Sequence, residues 1–145
     1  MDAIDRQIVA LLQENGRLSQ EQIARKVNLS RPAIHERIKR LEEQNFIRGY
    51  TARIDWSAVG LPLTAFIWVG LDLTPCQLVV KDVKAASDAT AMVAESHRVT
   101  GEWCLLVKVR AASTLALQDF LDRLRTVSGV KSTMTTIVLS TLDEA

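Results

Sequence analysis

The run Ser30-Arg31-Pro32-Ala33-Ile34-His35-Glu36-Arg37-Ile38-Lys39-Arg40-Leu41 puts hydrogen-bonding and cationic side chains along one side of a helix. Ile34, Ile38 and Leu41 recur at helical spacing and turn inward, so Arg31, Pro32, His35, Glu36, Lys39 and Arg40 share the outer face. Chemistry of that kind suits double-stranded DNA. An Arg guanidinium matches guanine O6 and N7, and a Glu carboxylate accepts from cytosine N4. Arg31, His35 and Glu36 lie in the N-terminal half of the helix, the half that meets base edges when a recognition helix enters the major groove. Lys39 and Arg40 are suited to phosphates, which position a protein without specifying sequence. Arg37 has two roles open to it, a phosphate contact or a structural ion pair with Glu42 or a neighbour. The plainer reading of the whole face is a solvated helix surface with an Arg or His paired to Glu.

The elements in front of this helix favour the DNA reading. Gln20 to Val27 forms a helix that buries Ile23, Ala24 and Val27, and Ala24 is small enough for a second helix to cross closely. Asn28 then stands where the connecting turn needs left-handed backbone, which Asn tolerates better than other residues except Gly. Ser30 is placed to cap the next helix through its hydroxyl, and Pro32 falls in the first turn, where a missing N–H costs nothing. Residues 20 to 41 are therefore predicted to form a helix-turn-helix. Ile4, Ile8, Leu11 and Leu12 predict a third helix over about residues 2 to 14, closed by Asn15-Gly16. Phe46 to Ile54, with Gly49 near its middle, alternates like an extended segment and is read as a linker strand. The first unit is thus helix-turn-helix in type (winged-helix-like) over residues 1–50, with a linker strand and loop at 51–61 ending in Gly60-Leu61-Pro62.

Residues 62–145 read as a second unit in the order strand (Leu63 to Leu73), helix (Cys76 to Ala86), strand (Val93 to Thr100), strand (Trp103 to Arg110), helix (Thr114 to Thr126), strand (Lys131 to Leu142). This is the ferredoxin-like βαββαβ order, making the chain α+β. Ser113 caps the second helix and Gly129 follows its end. Gly101-Glu102 is left to turn the central hairpin, with Gly at the first position of a type II′ turn. Strand parity puts Ile67, Val69, Leu71 and Leu73 on one face and Phe66 and Trp68 on the other. In the third strand Trp103, Leu105, Val107 and Val109 oppose Cys104 and Leu106. Two helices cover one face of a four-stranded sheet, so the second apolar face needs a cover, most economically another copy of itself. A loop or the N-terminal unit is the other way to hide it.

Composition limits the alternatives. A hydrophobic share of 48% over 145 residues supports packed cores. Net charge is +1; residues 1 to 50 hold nine Lys/Arg against seven Asp/Glu, the remainder nine against ten, so DNA affinity must come from local placement. Cys76 and Cys104 lack metal-type spacing and read as free thiols of a reducing cytoplasm. The acidic, helically periodic N-terminus does not read as a signal peptide. Trp56 to Leu71 is uncharged for sixteen residues, short of the roughly 20 a membrane helix needs, and Gly60, Pro62 and Gly70 interrupt it. Neither a membrane span nor a cofactor is expected. The hairpin sets His97 diagonal to Cys104, which raises a histidine-activated nucleophile. No third orienting group accompanies them, and a structural or pocket-lining role is preferred. Two histidines and two cysteines without motif spacing do not make a metal site, and no Gly-rich phosphate loop follows a strand.

AIDRQIVALLQENGRLS at the front, LSRPAIHERIKRLEEQNFIRGY around the second helix of the motif, and HRVTGEWCLLVKV followed by GVKSTMTTIVLST together resemble the Lrp/AsnC (feast/famine) transcription regulators across essentially the whole chain. The resemblance implies a sequence-specific DNA-binding protein whose DNA-binding motif falls on Gln20 to Lys39. Its second domain would dimerise and sense a small molecule, usually an amino acid, and the dimers often assemble into rings of four. It places an effector pocket between subunits around Val99, Thr100, Gly101, Glu102 and Cys104, with Thr135 and Thr136 of the last strand. Cys104 departs from the family pattern, which commonly has Asp there, so either Glu102 supplies the carboxylate for an amino acid's ammonium group, or this member binds another ligand or none. The rival function is an amino-acid-binding or enzymatic domain whose N-terminal helices serve assembly only.

Overall fold

In a computed structural model, residues 1–142 are described and divide between two compact units, Met1–Arg53 and Ile54–Ala145. The first holds α1 (Ala3–Glu14), α2 (Gln20–Val27) and α3 (Arg31–Glu43). Each start has its own capping chemistry. Asp2 and Asp5 cap α1 reciprocally, Ser19 and Gln22 do the same for α2, and the Ser30 hydroxyl accepts from the Ala33 N–H at the head of α3. Between α2 and α3, Asn28 has φ 54°, the left-handed turn the sequence called for. Asn45 repeats the device after α3 with φ 59°, and the N–H groups of Asn45 and Phe46 return to the carbonyls of Glu42 and Leu41. Ile8, Ile23, Ala24, Ile34, Ile38 and Leu41 form the small core.

That core is joined by a buried charge. Asp5 is 1% exposed, and Arg37 Nη1 donates to it at 2.7 Å and to Asp2 at 2.7 Å. Arg40 Nη2 reaches both Asp5 oxygens at 3.0 Å. Burial alone would raise the Asp5 pKa, but the Asp2 backbone N–H and the two guanidinium groups outweigh it and hold the carboxyl below its ordinary range. Asp2 is held down to about 2, first by the Asp5 backbone N–H and then by Arg37. These contacts fix α3 against the start of α1.

The second unit contains β1 (Leu63–Leu71), α4 (Cys76–Ala85), β2 (Ala91–Arg98), β3 (Leu105–Ala111), α5 (Thr114–Arg125) and β4 (Val130–Ile137). The strands form one antiparallel sheet in the order β2-β3-β1-β4. Ala65, Ile67 and Val69 of β1 and Leu105, Val107 and Val109 of β3 are fully buried with Val79 and Val83 of α4 and Phe120 and Leu124 of α5. Register places Phe66, Trp68, Leu106 and Met134 on the other face, with Trp68 paired to both Leu106 and Met134. The loop before β1 covers the end of it where Arg110 lies 5.3 Å from the Trp56 ring and donates to Thr64 at 2.6 Å. Gly129, at φ 92°, cannot carry a side chain because a Cβ would come within 2.9 Å of Thr74.

Several expectations are corrected. Phe46 to Ile54, read as a linker strand, forms no β-ladder with any described residue of this chain. β1 ends at Leu71 because the register slips after Gly70, leaving Leu73 fully exposed and not on the core face. β2 begins two residues earlier than read and carries a bulge between Val93 and Glu95. β4 stops at Ile137, and Leu139 and Leu142 are exposed beyond it. Trp103 lies before β3, and its indole sits 3.6 Å from where a Gly70 Cβ would point, on the face of Trp68 and not with Leu105. The missing side chain of Gly70 makes room for it.

Asp5→Asn leaves Arg37 with Asp2 and Arg40 with solvent but replaces the buried carboxylate that both guanidinium groups share, so it is expected to cost the N-terminal unit about 1–3 kcal/mol. Both carboxyls have depressed folded-state pKa values, so their contribution is present above about pH 4 and is lost as pH falls through the folded-state values, which for Asp2 is about 2 and for Asp5 lies below the ordinary carboxylate range. Urea titrations should therefore show the Asn variant's deficit at pH 7 shrinking as pH is lowered through that window. A deficit independent of pH would contradict this assignment.

Candidate nucleic-acid interface

α3 presents its outer face as the spacing predicts: Arg31, Pro32, His35, Glu36, Lys39 and Arg40 are exposed, while Ile34, Ile38 and Leu41 are buried. Ser30 is committed to capping, with its Oγ 3.4 Å from the Ala33 N–H. Pro32 sits in the first turn, where it breaks no hydrogen bond. Lys39 Nζ is 3.9 Å from Glu43, an exposed i, i+4 pair that a phosphate can displace. Gln20, the first residue of α2, reaches across the turn so that its Nε2 lies 3.1 Å from His35 Nδ1.

The two remaining arginines differ from the group. The Arg37 side chain is 23% exposed and its guanidinium is occupied by Asp2 and Asp5, which answers the choice left open by the sequence in favour of a structural ion pair with partners 35 and 32 residues away. Its assignment to DNA is corrected on that ground. Arg40 shares Asp5 but remains 48% exposed, so it can hold the carboxylate through Nη2 and still face a phosphate. Sequence reasoning missed Asp5. Its signal was an acid at a position of α1 adjoining the apolar stripe.

In the second unit the loop between β2 and β3 begins as proposed, with the Val99 N–H donating to the Cys104 carbonyl at 3.1 Å. Thr100, Gly101 and Glu102 are exposed, Val99 and Cys104 half-buried, and Gly101 has φ 102°. Thr135 and Thr136 are not brought together on one surface. Thr135 pairs with Ile67 and Thr136 with Phe66, so consecutive residues address opposite faces of the sheet, and only one of them can serve a given pocket. His97 Nε2 is 3.2 Å from Glu95, whose other oxygen takes Lys108 at 3.0 Å. Cys76 Sγ is 3.9 Å from the Cys104 carbonyl. Among the described residues no His/Cys/Asp/Glu cluster suits a metal ion, and no helix is long and apolar enough to cross a membrane.

Comparison with known proteins agrees with this arrangement in both units. Residues 1–42 match the AsnC-type helix-turn-helix domain and residues 64–145 the Lrp/AsnC ligand binding domain. The chain is 38% identical over 141 residues to the transcriptional regulator LrpA of Mycobacterium tuberculosis, covering 97% of this chain and 91% of that protein. It is 33% identical to the regulator FL11 of Pyrococcus horikoshii, covering 99% and 93%. Among solved structures, a feast or famine regulatory protein from M. tuberculosis complexed with L-methionine superposes with a TM-score of 0.88 at 35% identity, covering 99% of this chain and 95% of that one. Bacillus subtilis LrpC superposes at 0.87 with 26% identity, covering 100% and 99%. The chain belongs to the Lrp/AsnC family of helix-turn-helix transcriptional regulators.

Proposed function

We propose that this regulator reads pseudo-palindromic DNA as a dimer or a higher even-numbered ring, and that an amino acid modulates it through the β2–β3 loop. The observation that carries the reading is the pairing of a capped α3, whose outer face is free of the core, with a sheet whose second face displays Phe66, Trp68, Leu106 and Met134. In this reading Arg31, His35 and Glu36 meet base edges, while Lys39 and Arg40 meet phosphates. Two copies joined through the open sheet face would present two such helices to half-sites one helical turn, or a multiple, apart.

The effector class rests on the likeness to the methionine-complexed relative. Cys104 supplies no carboxylate, so an effector's ammonium group would be met by the exposed Glu102, and Val99, Thr100 and Gly101 would line the approach. Thr136 belongs with the open face and Thr135 with the helix side. His97 and Cys104 are assigned no catalytic step, since the imidazole is held by Glu95, a carboxylate shared with Lys108. The cytoplasm, where DNA and free amino acids meet, is the compartment this function implies.

Lys39→Ala should weaken binding to all DNA about equally and reduce the slope of log affinity against log salt by about one unit, measured by mobility shift or anisotropy. If Arg31→Ala, Lys39→Ala bound DNA unchanged at physiological salt, the assigned face would be wrong. L-methionine and the other common amino acids, screened by thermal shift, should include at least one that raises the melting temperature in proportion to the logarithm of its concentration. That rise should be reduced by Glu102→Gln, and a screen without any stabilising amino acid would contradict the effector reading.

A further inference from the structure

We infer that Gln20 determines sequence preference without touching a base, by fixing which nitrogen of His35 carries the proton. The inference rests on α3 being the helix that reads DNA. Gln20 stands at the first position of α2 and His35 in the second turn of α3, fifteen residues on, and their side chains meet with the amide nitrogen 3.1 Å from Nδ1. An amide nitrogen donates and does not accept. With the amide nitrogen turned to the ring, Nδ1 accepts, and a neutral imidazole with Nδ1 as acceptor carries its proton on Nε2.

Nε2 lies across the ring from Nδ1, so it points away from Gln20, and His35 is exposed. The ring thus offers the groove a donor. That donor matches guanine N7 and O6, adenine N7 and thymine O4, and it is mismatched to the amino groups of cytosine and adenine. Glu36 beside it is exposed and can only accept. Neighbouring positions of one helix then carry opposite hydrogen-bonding signs, and Gln20 sets the sign of one of them. The same bond holds the imidazole plane against rotation and ties the two helices of the motif together.

Two substitutions separate the tautomer from mere tethering. Gln20→Met keeps the length and removes the donor. Gln20→Glu replaces the donor by an acceptor, which draws the proton to Nδ1 and leaves Nε2 as an acceptor in the neutral ring; an acid at the start of a helix is also favourable, so folding is not at risk. The full-length protein is measured by long-range ¹H–¹⁵N correlation of the His35 ring at pH 8, where an ordinary imidazole is neutral. Preferred sites are selected in parallel from randomised DNA. The parent should show the Nε2–H pattern and Gln20→Glu the Nδ1–H pattern. At one base pair per half-site Gln20→Met should relax the preference roughly ten-fold, and Gln20→Glu should move it toward a base that presents an amino group. Base preference is read as the ratio of affinity for the selected site to affinity for unrelated DNA, so that the uniform loss caused by the added carboxylate of Gln20→Glu cancels. An Nδ1–H pattern in the parent would overturn the inference, as would parental base preference in both variants while His35→Ala loses it. If His35→Ala also keeps the parental preference, and Lys39→Ala keeps the parental salt slope, the reading of α3 falls along with it.

Discussion

A four-stranded sheet has two faces, and α4 and α5, the described helices of its own unit, pack on one of them. α4 and α5 close over Ala65, Ile67, Val69, Leu105, Val107 and Val109, all of which are buried. The residues between them in the same strands, Phe66, Trp68 and Leu106, are left half-buried, and Met134 is exposed. Burying large apolar side chains contributes about 1.5–3 kcal/mol each relative to leaving them in water, so this face carries a standing drive toward a second surface of the same kind. The loop carrying Trp56 occupies the Thr64–Arg110 end. Trp103, folded over Gly70, adds a further ring to the uncovered part. The proposed two-fold reader follows from that imbalance.

The DNA-binding unit solves a different problem, that of holding a recognition helix on a very small core. Six buried apolar residues are few for a unit of this size. The Asp2–Asp5–Arg37–Arg40 cluster adds charged contacts between the first turn of α1 and the middle of α3. Of the four groups only Asp5 is buried, and a carboxylate at that depth is costly unless paired, so the packing of α1 on α3 that brings Arg37 and Arg40 to it is favoured. Its position also divides the arginines of α3. Arg37 serves the fold, Arg40 serves both fold and surface, and Arg31 is left wholly to whatever the helix meets.

Local chemistry was legible and long-range geometry was not. The Ser30 cap, Pro32 in the first turn and left-handed Asn28 each act within a few residues, and all three stand where their side chains predict. The βαββαβ order and the inward parity of Ile67, Val69, Leu105 and Val107 follow from period-two patterning, which the sheet preserves. The partner of Arg37 lies more than 30 residues away on another helix, so spacing along α3 pointed to Glu42 when the structure uses Asp2 and Asp5. Parity failed at Trp103 because alternation holds only inside a ladder, and Trp103 precedes it. Phe46 to Ile54 has a strand's alternation but no neighbour within the chain to bond with, and pattern alone does not provide one. The opposite placement of Thr135 and Thr136 was within reach of the sequence, since successive strand residues face opposite ways.

In the proposed two-fold reader, the sheet face of Phe66, Trp68, Leu106 and Met134 holds two copies of this chain together. Sedimentation velocity on Trp68→Glu, with circular dichroism to verify that each unit remains folded, tests it most directly. The account predicts a folded monomer that has lost specific binding to a full palindrome and keeps only weak, salt-sensitive affinity for DNA. A variant that stays assembled, or a folded monomer that binds the palindrome as tightly as the parent, would contradict it.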